Sequence, residues 1–435
     1  MARLLTQKDV YAIINAMAED LTGGSATVTA VDTSSFISVG ELVMSYGTEN
    51  VLNSLGMLMG RILIASRPYE GKFNLINAID TGVYSHRIEK ISYYSRGADA
   101  LPSGAWNTDL YTNLAEGFTN GQNVDSVSGD AQSTKSMWEQ HYVYPLEMNF
   151  AGSSVWDACI TIPEVQLQQC MRDEGIFNEL LSGMLTEHNN DIETQKEAFR
   201  VSVVLNFIAG IYDMNAAGKM PGSVVNLTEA FNKYYYGSDT TSYKTSAQLR
   251  STYLKEFLEF MTSELKDYMQ KMTNRSENFH WTPAKTVDGE SLKLFRHTEK
   301  SRQRLFMFEP LFRRAEAIVM PEIFNDRYLT RPQYEGIEYW QCENDPSSVS
   351  VTPAIPDATT GYQTTGSAVS LDYVVALLFD EDACMTDFQL ERVDSTPLEA
   401  RKLYRNLWLH ASRNNINDFT EKAVLFIMAD PVTEG

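Results

Sequence analysis

From Glu174 to Met214 the chain carries no proline, and only Gly183 and Gly210 lower its helix propensity. Ile176, Leu180, Met184, His188, Ile192, Phe199, Val203, Phe207 and Ile211 recur at steps of four and seven. That spacing holds them on one slowly drifting face of a helix with 3.6 residues per turn. At about 1.5 Å per residue the rod is roughly 60 Å long, more than an ordinary globular helix needs. A helix of that length requires something flat along it, so the rest of the chain must supply a sheet. A bend is expected near Gly210. The apolar face is expected to serve the chain's own sheet, leaving a polar face for neighbours.

The flanking segments alternate between short core elements and long polar stretches. Residues 8–20 predict an amphipathic helix with Val10, Ile13, Ile14 and Met17 on one side. Leu21–Gly40 is rich in Gly, Ser, Thr and Val and predicts an extended segment with little core of its own. A helix is expected from Thr48 to Ser66, ended by Pro68. Residues 84–94 (YSHRIEKISYY) and 140–150 (QHYVYPLEMNF) alternate as strands. Between them lies a stretch dominated by Gly, Ser, Asn, Asp and Ala, which makes the pair an arm with a long tip. Trp106, Tyr111, Phe118 and Trp138 in that tip argue for contacts with other chains. With Tyr93 and Tyr94 they are candidate inter-subunit residues.

After the rod come a strand near Val224–Leu227 and a second long helix from Ser246 to Met272. The seam of that helix is Leu254, Leu258, Met261, Leu265, Tyr268 and Met272. Short strands are expected at 303–309 and 316–320, and a Pro/Thr/Gly-rich loop at 343–370. The chain then predicts a strand in LDYVVALLFDED, a turn at Thr396-Pro397, a strand in RKLYRNLWLHASRN and a buried closing strand at Val424–Met428.

Composition narrows the function. The chain has 36 Lys and Arg against 57 Asp and Glu, a net charge of -21. A surface so acidic is repelled by phosphate backbones and anionic lipid. Cys159, Cys170, Cys342 and Cys384 stand apart without metal-ligand spacing, which predicts isolated buried thiols in a reducing cytosol. The start, MARLLTQKDVYAII, lacks the apolar core and cleavage site of a signal peptide, and the run Val51–Ala65 is too short and too polar to span a membrane.

Catalytic signatures are missing: the sequence holds no phosphate-binding GxxxxGK[ST], no GxSxG elbow and no HExxH. The six histidines have no ligand spacing, and His188 reads as a core residue of the rod. No cofactor or metal is expected. Asp380, Glu381 and Asp382 form an acidic cluster that reads as a solvated turn. Arg296, Lys300, Arg302 and Arg304 form the one basic patch, which reads first as a solvated loop and otherwise as a candidate to pair with a neighbour's carboxylates or to touch packaged nucleic acid.

Taken in order, the layout resembles the major capsid protein of tailed bacteriophages, the Hong Kong 97-type fold, most closely in small short-tailed phages. The resemblance is carried by SVWDACITIPEVQLQ (Ser154–Gln168) directly before the rod, and by the block Leu377–Ile427. In that block Asp380, Asp382, Met385, Pro397, Tyr404, Trp408, Ala423, Val424 and Phe426 sit where the family pattern has those residue types. The resemblance implies an α+β fold in five stretches: N-terminal arm and helix (1–66), extended loop (67–153), peripheral domain with spine helix (154–242), axial domain (243–371) and return strands (372–435). It also implies a virion protein assembled in the bacterial cytoplasm. Copies would form the hexamers and pentamers of an icosahedral shell around double-stranded DNA, with portal and scaffolding proteins as partners. The alternatives are a soluble enzyme with a site built from scattered carboxylates, or another phage structural protein such as a portal.

Overall fold

The structure is a computed structural model of the 435-residue chain. It describes residues 7–23, 29–46, 71–78, 87–94, 144–151, 154–163, 174–287, 290–316, 334–357, 362–399 and 401–430. The expected helix Thr48–Ser66 and the tip of the arm lie outside these residues. The fold is α+β and divides into two compact units, neither contiguous in sequence. Segment 372–435 contributes to both.

The first unit holds α1 (Gln7–Thr22), α2 (Thr33–Ser45) and a four-stranded sheet. The sheet order is β1 (Asn77–Ala78), β15 (Cys384–Ser395), β16 (Tyr404–Asn417) and β4 (Ser154–Pro163), the two long last strands being antiparallel. α1 follows its predicted bounds, with Ile13, Ile14 and Met17 buried. The extended reading of Leu21–Gly40 is overturned from Thr33 onward. Asp32 caps α2 through a reciprocal box with Ser35, accepting from its backbone N–H at 2.8 Å. Phe36, Val39 and Val43, at steps of three and four, are the buried face that its Ser- and Val-rich composition masks.

The rod is α3 (Glu174–Ala216), two residues longer than its predicted end, and its hydrogen-bonded helix continues through Gly210. The side chains of 174–182 and 184–189, His188 among them, lie outside the described residues. In the second unit its last turns are buried on more than one side: Val203, Val204, Phe207, Ile208, Ile211 and Met214. Two polar side chains there are engaged inside the chain. The Asn206 amide donates to Ala354 O at 3.2 Å and accepts from Ala354 N at 2.7 Å, and Asp213 accepts from Ser367 N at 3.1 Å.

That unit is built on a mixed five-stranded sheet, ordered β5 (Val224–Asn226), β17 (Ala423–Ile427), β14 (Val374–Asp380), β8 (Gln303–Phe308) and β9 (Tyr334–Ile337). The final strand is therefore internal rather than closing: it pairs parallel with β5 and antiparallel with β14. The register Phe379↔Ala423 and Ala376↔Phe426 puts Phe379 and Phe426 on opposite faces. Phe207 of α3 meets Phe379 on one face, with ring centroids 6.4 Å apart. Tyr268 of α6 (Leu254–Thr273) meets Phe426 edge-on at 5.5 Å on the other. With both faces covered, every residue of β14 and β17 is buried, which explains their unbroken apolar runs.

Several local expectations change. Leu227 does not end a strand but opens α4 (Leu227–Tyr236), because Asn226 caps it by accepting from Thr228 N at 3.2 Å. The helix expected from Ser246 to Met272 is two helices, α5 (Ser246–Leu249) and α6, and the buried seam of α6 includes Phe257, Phe260 and Met269 while Leu254 and Tyr268 stay half-buried. Glu316 ends α7 (Glu309–Glu316) instead of starting a strand, and 317–320 lie outside the described residues. The 343–370 loop contains two antiparallel ribbons, one pairing β10 (Val349–Val351) with β13 (Val369–Leu371) and the other β11 (Ala354–Pro356) with β12 (Gln363–Thr365). Cys384 is buried as expected, but Cys159 and Cys342 are exposed.

Two glycines on one helix separate propensity from packing. A Cβ at Gly210 would lie 2.5 Å from the Phe419 ring, itself buried and packed on Phe207 at 5.2 Å. A Cβ at Gly183 meets no described atom within 4 Å. Gly210→Ala is expected to destabilise by about 1–3 kcal/mol through overpacking, and Gly183→Ala to stabilise by about 0.5–1 kcal/mol. Urea denaturation of the two variants checks the opposite signs.

Candidate functional site

The strands flanking the long tip form a two-stranded ribbon, β2 (Arg87–Tyr93) with β3 (Pro145–Ala151). Alternation gives β2 two unlike faces. Glu89, Ile91 and Tyr93 point outward, Ile91 at 56% and Tyr93 at 61% exposure. Lys90, Ser92 and Tyr94 point inward, onto their own compact unit. Ile91 and Tyr93, two residues apart on one strand, form a small exposed apolar surface on this face.

The inward face is fixed by charge. Lys90 Nζ lies 2.5 Å from Asp418 Oδ2 and 2.7 Å from Glu421 Oε1, both in the turn between β16 and β17. Arg296 reaches the same turn: it donates to Thr420 O at 3.2 Å and to Ser92 Oγ at 2.8 Å, and stands 3.4 Å from Glu421. Asp418 is further held by Thr420, whose N–H and hydroxyl donate to Oδ1 at 2.8 and 2.7 Å. Tyr94 completes the face by donating its hydroxyl to Pro283 O at 3.1 Å. Two cations thus neutralise two carboxylates in a site where the Asp418 side chain is only 1% exposed. Burial opposes the Lys90 ammonium, but Asp418 and Glu421 outweigh it and raise its pKa. Burial raises the Glu421 pKa despite Lys90 and Arg296.

Two more buried bases lie beside this turn. Lys422 donates to Asn274 O at 2.6 Å and Ser276 Oγ at 2.9 Å, and burial lowers its pKa to about 8. His280, whose ring nitrogens face Asn278 O and Leu294 O at 3.1 and 2.9 Å, is lowered to about 4, chiefly by burial.

The basic patch and the acidic cluster, separate features in the sequence, meet across β8 and β14, where Arg304 pairs in register with Phe379. Arg302 Nε lies 3.0 Å from Glu381 Oε1, and its Nη2 pairs with Asp382. Arg304 Nη2 lies 2.5 Å from Glu381 Oε2. Lys300 sits in the 3-10 turn Lys300–Arg302 just before β8. Asp380–Asp382 is therefore an ion-paired corner rather than a solvated turn, and no group of three metal-ligating side chains occurs among the described residues.

Of the residues singled out in the sequence, Tyr93 stands outward, while Tyr94, Arg296, Arg302 and Arg304 are engaged inside the subunit. Trp106, Tyr111, Phe118 and Trp138 lie outside the described residues. Lys90, Asp418 and Glu421 carried no sequence signal, because the partners lie 328 and 331 residues apart. No helix among the described residues is long and apolar enough to cross a membrane.

His280 sets an acid limit on this region. Its folded pKa of about 4 lies below the ordinary 6.5, so the unfolded chain takes up the proton first as pH falls. The contribution is complete above pH 6.5 and is lost as pH drops toward 4, by up to about 3 kcal/mol. His280→Gln is expected to remove that part of the acid loss, as measured by denaturation at pH 7 and pH 4.

No protein-family model matches the chain, and no curated protein matches it. Among solved structures, it is similar to a chain in the capsid structure of Staphylococcus phage Andhra, at 12% identity over 82% of this chain and 84% of that one, with a TM-score of 0.44. It is similar to a chain from a structure of the head fiber and inner core protein of bacteriophage P68, at 11% identity over 82% and 85%, with a TM-score of 0.44. A chain from the mature capsid of bacteriophage PhiM1 is similar at 7% identity over 83% and 88%, with a TM-score of 0.39.

Proposed function

We propose that this chain is a major capsid protein of a tailed bacteriophage with the Hong Kong 97-type fold. Copies self-assemble as hexamers and pentamers into an icosahedral shell that encloses packaged double-stranded DNA. The observation that carries the reading is the two-faced ribbon. Its inner side is anchored by ion pairs, and its outer side carries Ile91 and Tyr93 where its own chain leaves them exposed. A ribbon anchored on one face and apolar on the other is stabilised when another subunit covers its exposed side.

The sequence resemblance adds the remaining parts: a spine helix, here α3, and a C-terminal strand that returns to the sheet. Tyr93 and the aromatics of the tip, Trp106, Tyr111, Phe118 and Trp138, are the proposed inter-subunit contacts. The net charge of -21 suits a shell that holds DNA without adhering to it, and the pairing of Arg302 and Arg304 with carboxylates reduces the basic patch further. Portal and scaffolding proteins are the expected partners, and the virion is the expected location, with assembly in the host cytoplasm.

Deletion of Arg96–Lys135 tests this reading. The variant is expected to fold as a soluble subunit with wild-type circular dichroism outside the deleted segment and to form no shells by electron microscopy. Normal shells from the deletion would overturn it.

A further inference from the structure

The ion cluster at the ribbon's root does more than neutralise charge. Its members come from three places in the second unit: Lys90 and Ser92 from β2, Arg296 from the segment before β8, and Asp418, Thr420 and Glu421 from the turn between β16 and β17. That turn leads directly into β17, the buried inner strand of the five-stranded sheet. A ribbon of two strands has little stability of its own, so its orientation depends on what holds its root. Here the hold is polar and directional: Lys90 bridges two carboxylates, and Arg296 ties Ser92 of the ribbon to Thr420 of the turn. Lys90 is held between two carboxylates at once while Arg296 donates to both ribbon and turn, and the set of charged hydrogen bonds restricts how the ribbon can sit on the turn.

We propose that Lys90 is a positioning residue for assembly, locking the ribbon to the Asp418–Glu421 turn at the angle that presents Ile91 and Tyr93 to a second copy of this chain. The inference rests on the capsid reading and deepens it: Lys90 ties the proposed inter-subunit surface to the turn that leads into the core strand β17, with Arg296 bracing Ser92 beside it. Removing that cation leaves Glu421 paired with Arg296, and the almost wholly buried Asp418 with the two Thr420 donors but no cation among those described. The ribbon then loses its fixed angle while the core strands, held by apolar burial, keep theirs.

Hydrogen exchange on the unassembled subunit, followed by electron microscopy of assembly reactions, tests this. In Lys90→Met, amides of 89–93 and 146–149 are expected to exchange on the order of tenfold faster or more, with Val374–Asp380 unchanged. The variant is expected to give open or irregular assemblies under conditions where wild type closes. Lys90→Arg, which keeps the charge, is expected to restore most of the ribbon protection and closed shells. Unchanged ribbon exchange, equal acceleration throughout Val374–Asp380, or normal shells from Lys90→Met would each overturn the proposal. Exchange is read before assembly, so it decides the lock separately from whether wild type forms shells at all, which tests the capsid reading itself.

Discussion

Everything in the second unit depends on covering both faces of β14 and β17. Phe379 and Phe426 point to opposite sides of the sheet, and each finds an aromatic partner on a different helix: Phe207 of α3 on one side, Tyr268 of α6 on the other. Burying a large aromatic side chain contributes about 1.5–3 kcal/mol, so these layers fix the sheet before any polar contact is considered. Gly210 follows from the same constraint. The Phe419 ring fills the space a side chain would need.

The polar contacts are then arranged around that core at its ends. At one corner Arg302 and Arg304 neutralise Glu381 and Asp382; at another Lys90 and Arg296 neutralise Asp418 and Glu421. In a chain where 57 acidic residues outnumber 36 basic ones, these four cations pair with carboxylates of their own subunit. Each pair bridges distant stretches of sequence. A buried ion pair is weak as a source of stability, but it is selective about geometry. In the proposed assembly role, that selectivity sets the angle at which the ribbon's outer face meets a second copy.

The long helix was readable because its period repeats over ten turns without proline, and noise at single positions averages out. The apolar runs of β14 and β17 were readable for a related reason: strands buried on both faces have no polar alternation to blur. α2 was not, since Phe36, Val39 and Val43 are diluted by Ser and Thr, and its decisive signal is one Asp–Ser capping box. The ribbons within 343–370 are three residues long per strand, too short for any period to show. At the site, both charged clusters were visible but their pairing was not, because it depends on the register of β8 against β14. Tyr93 and Tyr94 are equivalent as sequence signals, and only the strand's alternation puts Tyr93 outward and Tyr94 inward, since aromatic type alone does not say which face is covered.

The central claim is that copies of this chain complete one another's surfaces. Electron microscopy of the purified full-length chain, taken across increasing concentration, tests it most directly. The account predicts pentamers, hexamers and closed shells of uniform curvature appearing above a threshold concentration. Monodisperse monomers at every concentration, with and without DNA present, would contradict it.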